Sequence, residues 1–343
     1  MMRGLVERGM TPLVTLHHFS DPLWLMEMGG WENEAVVEKF TTYVRKVVEA
    51  LKEYVNLWVT INEPNVYAYS GYVAGAFPPG KNDLGAAFGL MVNQVRAHAA
   101  AYRAIHEIQP TARVGIATNY VSMQPARSWL PFDSLITRIQ SQLYNHLHAE
   151  ALRSGVVNFI YKKVRLPEVA NTQDFIGINY YTRNLVAFSP TATGDAFGRR
   201  FFPEGADISP TGFIANIPEG FFEALRFANS FNLPIMVTEN GVEDDNDTLR
   251  PRYTAQHIHQ VWRAVNFSWP VKGYFHWTLV DNFEWERGWT QRFGLWELDV
   301  ETQARKRRPS VDLYEAICRE NRLSSEMVAR YCPEVQNVLF PAE

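Results

Sequence analysis

The sequence of 343 residues predicts an α/β protein of the (β/α)-barrel type. Short apolar runs alternate with longer stretches at helical spacing, again and again, as βα units around a parallel sheet do. Polar, chemically useful residues cluster immediately after the apolar runs. No composition break and no fixed-period repeat divides the chain, so the alternation reads as one domain over residues 1–323, followed by a C-terminal tail over 324–343.

Taken in order, Pro12–Leu16 (PLVTL) is the first predicted strand, with a helix over Glu34–Tyr54 after it. Leu57–Ile61 (LWVTI) is the second, and beyond a long aromatic loop a helix is predicted over Leu84–Ile108. Arg113–Thr118 (RVGIAT) is the third, with a helix near Ser134–Ser154. Phe175–Ile178 is the fourth, and Pro218 opens the helix that follows its long loop. Pro234–Thr238 (PIMVT) precedes a helix around Tyr253–Phe267, and Gly273–Thr278 precedes a last helix over Ser310–Asn321.

Composition narrows the function classes. The chain is 46% hydrophobic and 20% charged with a net charge of −4, so nothing in the balance attracts nucleic acid or an anionic membrane. The basic run Arg305-Lys306-Arg307-Arg308 reads as a solvated loop before Pro309. The N-terminus lacks an apolar signal core and no apolar run is long enough to span a bilayer, which makes cytoplasmic the expected location. Cys318 and Cys332 have neither framework nor metal-ligand spacing and read as free thiols. His17 and His18 lack a carboxylate or cysteine at zincin spacing, so no metal is expected there.

In a parallel barrel the carboxyl ends of all strands share one face, and that face carries the chemistry. His17-His18 follows the first strand, Asn62-Glu63 the second, Asn179-Tyr180-Tyr181 the fourth and Glu239-Asn240 the fifth. Trp277 and then Asp281–Trp285 follow the sixth. A lone glutamate past a strand is more often structural than catalytic. Two on one rim, each flanked by Asn and a turn residue, suit glycoside hydrolysis, in which one carboxyl protonates the leaving oxygen while the other attacks or activates water. Tyr180 and Trp289 read as packing. His276 alternates to the opposite side of the strand from Trp277 and reads as a satisfied packing residue.

These segments resemble the two signatures of family 1 glycoside hydrolases, the β-glucosidase and β-galactosidase group: TINEP around Glu63 and TENG around Glu239. TLHHFSDPLW, GGWEN, DFIGINYYTR and YFHWTLVDNFEWERGWTQRFGL extend the resemblance nearly end to end, in the family's order. The resemblance implies Glu239 as nucleophile and Glu63 as general acid/base of a retaining β-glycosidase, with no metal or organic cofactor. It implies Asn62 on the sugar 2-hydroxyl, His18 on a hydroxyl further round the ring and Tyr181 on the nucleophile. Asn179 joins this substrate-binding set, Trp277 is the stacking floor, and Glu284 and Trp285 take the 4- and 6-hydroxyls. Glu284 argues against 6-phosphorylated sugars and Glu63 against the thioglucosidase branch, which leaves small β-glycosides of glucose, galactose or fucose.

The resemblance begins inside the family's second helix, near Leu5, so six of eight βα units (strands 3–8) are expected. The sheet would then have open edges at Pro12–Leu16 and Gly273–Thr278. The family's first two strands supply a glutamine to the glycone and an arginine beside the nucleophile; neither has a counterpart here. A self-standing product with its gap closed by self-association or by the tail is the favoured expectation, ahead of a separate complementing chain or a fragment. Homo-oligomerisation through the open edge follows, together with weak but detectable activity. The rival expectation is an inactive sugar- or aromatic-ligand-binding relic.

Overall fold

The computed structural model describes residues 1–159, 162–192 and 196–341. Its centre is a sheet of six parallel strands in sequential order: β1 (Leu13–His17), β2 (Leu57–Asn62), β3 (Arg113–Pro125), β4 (Ile176–Phe188), β5 (Ile235–Asn240) and β6 (Val271–His276). Neighbouring strands pair in registers such as Thr15↔Val59, Val59↔Gly115, Ala117↔Gly177 and Gly177↔Met236. The principal helices are α1 (Val36–Leu51), α2 (Leu84–Ile108), α3 (Pro131–Ser141), α4 (Leu147–Ser154), α5 (Pro218–Asn229), α6 (Arg250–Asn266), α7 (Ser310–Glu320) and α8 (Ser325–Tyr331).

Local sequence explains these elements. Helix α1 buries Val36, Phe40, Val44 and Val48, four residues apart and hence on one face. Helix α2 starts at Asp83, whose Oδ1 accepts the backbone N–H groups of Gly85 (2.7 Å) and Ala86 (3.1 Å). Alternation along β2 splits the core. Trp58 packs outward with α1 and α2, whereas Val59 joins Ala117, Phe175 and Met236 on the inner face.

Several boundaries differ from expectation. The helix expected over Ser134–Ser154 is α3 and α4 separated by a π-helical turn at Gln142–His146. Strands β3 and β4 each run 13 residues, and their far ends pair from Ser122↔Arg183 to Pro125↔Val186. Gly198–Phe201 adds an antiparallel strand to β4 there. Polar residues interrupt the apolar run in this stretch (Asn119, Ser122, Gln124), which hid the extension. The sixth strand lies two residues earlier than expected.

Among the described residues β1 pairs only with β2 and β6 only with β5, so the sheet curls like a barrel wall that is open between β1 and β6. The segment after residue 323 is helical: Met327, Val328, Val335 and Leu339 pack against Ala255, Leu313 and Ile317. Residues 342–343 of the expected tail lie outside the described residues. No described helix is long and apolar enough to cross a membrane.

One expectation is overturned at the basic run. Arg305–Arg307 is exposed, but the Arg308 side chain is only 4% exposed and is ion-paired with Asp281. Arg305–Arg307 forms a short strand paired with Trp296–Leu298, and the Arg308 side chain beyond it enters the interior.

Candidate active site

Strand ends bring the expected residues together. The register of β2 slips between Val59 and Asn62, and that of β5 slips after Val237. Such irregularities at a barrel rim re-aim side chains. Glu63 itself lies in the left-handed region (φ 43°), as do Phe19 (φ 67°) and Trp285 (φ 48°). Strained backbone of this kind gathers at functional sites. Gly241 of the TENG segment has a specific reason to be glycine: a Cβ there would lie 1.9 Å from the Trp277 carbonyl oxygen. The two strand ends could not close on each other with any side chain at that position.

Glu63 and Glu239 are both buried, 7% and 8% exposed. The Asn179 and Asn119 side-chain amides donate to Glu63 Oε1 at 2.9 and 2.8 Å. The Tyr181 hydroxyl donates to Glu239 Oε2 at 2.6 Å. Asn179 also donates to Asn62 Oδ1 (3.1 Å) and accepts from the Thr238 hydroxyl (2.5 Å). Asn62 in turn donates to His18 Nε2 (3.0 Å), which places the imidazole proton on Nδ1. Burial, and secondly His17, hold the His18 pKa at about 4, so this ring is neutral near pH 7.

Burial raises Glu63 above the usual carboxylate range, against the pull of Asn179 and Asn119. Glu239 is raised well above it by burial first and the Glu63 charge second; the Tyr181 and Asn179 hydrogen bonds oppose this. Two buried like charges in one site resist joint ionisation, so the two carboxyls titrate as a unit. Among the described residues no lysine or arginine bonds to either carboxylate. Glu284 is raised to about 7, chiefly by burial and then by Glu63, and its Oε2 has no hydrogen-bond partner among the described residues.

His18, Glu63, Tyr181, Glu239, Trp277, Glu284 and Trp285 line one cavity of about 390 Å³. Trp277 and Trp285 lie 5.8 and 5.6 Å from the His18 ring, so the mouth is bridged by aromatic contact above the open edge. Asn62 and Asn179 do not line the cavity; they lie beneath it, 2% and 0% exposed, with Asn179 committed to its protein partners. Tyr69, Phe77, Tyr144 and Phe213 add aromatic surface to the lining.

Other residues are explained by packing. Tyr180 is stacked on Phe221 at 5.3 Å and donates to the Ile217 carbonyl (2.7 Å). His17 bonds Asp21 Oδ1 (3.1 Å) inside a box of Trp31 and Tyr67. His276 is not satisfied as expected: among the described residues neither ring nitrogen has a hydrogen-bond partner, and burial drives its pKa down to about 3. Sequence reasoning missed Asn119, which lies within β3, directly after the shorter strand expected over Arg113–Thr118. The strand-end rule applied to the third strand would have found it.

A family model described as glycosyl hydrolase family 1 matches residues 1–323. Beta-glucosidase A of Thermotoga maritima is 34% identical over 93% of this chain and 76% of its own length. A beta-galactosidase of Pyrococcus woesei is 30% identical over 95% of this chain and 72% of its own length. The solved structure of a beta-glycosidase from Pyrococcus horikoshii superposes with a TM-score of 0.89 at 35% identity, covering 97% of this chain and 77% of that one.

Proposed function

Because the chain belongs to glycosyl hydrolase family 1 and is a β-glycosidase in class, we propose that it hydrolyses β-linked glucosides and galactosides by double displacement. Glu239 attacks the anomeric carbon while Glu63 protonates the departing oxygen. When the covalent intermediate has formed, the Glu239 charge is consumed, and Glu63 acts as base toward water. Anomeric configuration is retained. The observation that carries this reading is the buried carboxylate pair, joined through Asn179, at the floor of a cavity with Trp277 and Trp285 in its wall.

Tyr181 orients Glu239, and Trp277 offers the glycone a flat face. His18 and Glu284 take sugar hydroxyls, while Asn62 and Asn179 hold the acid and the His18 ring in place from below. The aromatic side chains in the cavity lining suit an aryl aglycone. Turnover is slow, because among the described residues no lysine or arginine bonds to Glu239 to offset its raised pKa; a missing electrostatic partner of this kind costs on the order of 10²-fold. The test is hydrolysis of an aryl β-D-glucoside followed by NMR. A β-configured sugar as first product is the expected result. No turnover, with tight binding of the same glycoside, would support a sugar-binding relic instead.

The Glu284 carboxyl gives the reaction a pH signature. It is neutral below about pH 7 and ionised above, and an ionised acceptor grips hydroxyls more strongly. KM for a β-glucoside is therefore expected to fall by about threefold to tenfold as pH rises through 7. Glu284→Gln should flatten that profile, and an unchanged profile would contradict the assignment.

We further propose that copies associate through the open side. Support comes from the unpaired edges of β1 and β6 and from a cavity of about 790 Å³ between α6, β6 and α7. Exposed Trp262, Val265 and Phe275 lie nearby in the sequence of those elements. Light scattering at micromolar concentration should give more than one chain per particle; a strict monomer would refute this.

A further inference from the structure

The loop from Thr278 to Gly294 carries Glu284 and Trp285, and its base rests on a buried ion pair that composition did not reveal. The Asp281 side chain is fully buried and Arg308 nearly so. Arg308 Nη1 and Nη2 each lie 3.0 Å from a different oxygen of Asp281, a planar bidentate fork. Asp281 also accepts the backbone N–H groups of Gly294 (2.8 Å) and Leu298 (3.2 Å), and Arg308 Nη1 donates to the Gly294 carbonyl (2.7 Å). Both ends of the loop are thus tied to one point.

A second buried pair, Arg250 with Asp247, sits alongside. Arg250 donates to the carbonyls of Asp244 (2.6 Å) and Arg292 (2.8 Å), and Asp247 accepts the Ser310 N–H (2.6 Å). The segment after Glu239, the Glu284 loop and the start of α7 are therefore stitched together below the cavity.

We infer that Arg308 is a positioning residue, whose fork on Asp281 fixes the loop that presents Glu284 and Trp285 to the far end of the sugar ring. Its kinetic consequence rests on the glycosidase reading above; the mechanical one does not. A lysine keeps the charge but cannot span both carboxylate oxygens in the same plane. Arg308→Lys should fold and still leave the loop less tightly held.

The test uses the full chain with Arg308→Lys and, independently, Asp281→Asn. By hydrogen exchange, amides of the 279–294 loop should exchange about tenfold faster in both variants, while those of α2 keep the parent rates. With a β-glucoside, KM should rise about tenfold with kcat within about threefold. With the matching β-xyloside, which lacks the 6-hydroxymethyl group but keeps the 4-hydroxyl, KM should rise by a smaller factor than with the glucoside. Loop exchange at the parent rate, or acceleration equal to that of α2, would overturn the proposal. A parent chain that turns over no glycoside removes the glycosidase reading alone, because exchange still decides the clamp.

Discussion

Glu239→Ala is expected to abolish turnover of an aryl β-D-glucoside, by on the order of 10³-fold or more in kcat, while the fold persists. The residue lies near the carboxyl end of β5 and lines the cavity, 8% exposed, with the Tyr181 hydroxyl 2.6 Å from one oxygen. Without the carboxylate no covalent intermediate forms, and Glu63 alone has no partner with which to split the displacement into two steps. A structural role would give a different result, because burial makes this carboxylate a burden on stability. Its folded pKa is raised above the unfolded value of about 4.3, so the folded chain binds the extra proton. Stability therefore falls as pH rises past the unfolded value, until the folded group itself ionises. Glu239→Gln should match the parent near pH 4 and exceed its Tm by about 2 °C or more at pH 7. An inactive but stabilised variant separates catalysis from packing; a destabilised one would point to a structural glutamate.

Glu63→Ala should lose about 10²- to 10⁴-fold on substrates whose leaving group needs a proton. A dinitrophenyl glycoside leaves unaided, so its kcat/KM should change by less than about tenfold. Added azide should restore turnover and yield a β-glycosyl azide, since the small anion occupies the space of the lost carboxylate and needs no base. Equal loss on both substrate types would contradict the acid/base role. The surroundings fit the assignment: two neutral amides, from Asn119 and Asn179, hold the Glu63 oxygen in place, and burial raises its pKa.

Much of this was legible in the sequence because a barrel converts strand ends into a shared surface. Alternation of apolar runs located the six parallel strands to within a few residues at their starts. The motifs after them placed His18, Glu63, Tyr181, Glu239, Trp277, Glu284 and Trp285 on one cavity. Other features depend on partners far along the chain and leave no local trace. The hydrogen bonds from Asn179 to Asn62 and Glu63 join residues 117 and 116 positions apart, which no local pattern shows. Arg308 looked like one of four solvated charges until Asp281, 27 positions away, met it in the interior. The long ends of β3 and β4 escaped because their pairing, not their hydrophobicity, defines them.

A glutamate that forms an ester with the sugar can be caught in the act. Incubation with a 2-deoxy-2-fluoro-β-glucosyl donor carrying an activated leaving group should slow breakdown of the intermediate more than its formation. Mass spectrometry should then find one fluoroglucosyl unit per chain, on the peptide containing Glu239. Label on another residue, or none while the sugar donor is still hydrolysed, would contradict the account.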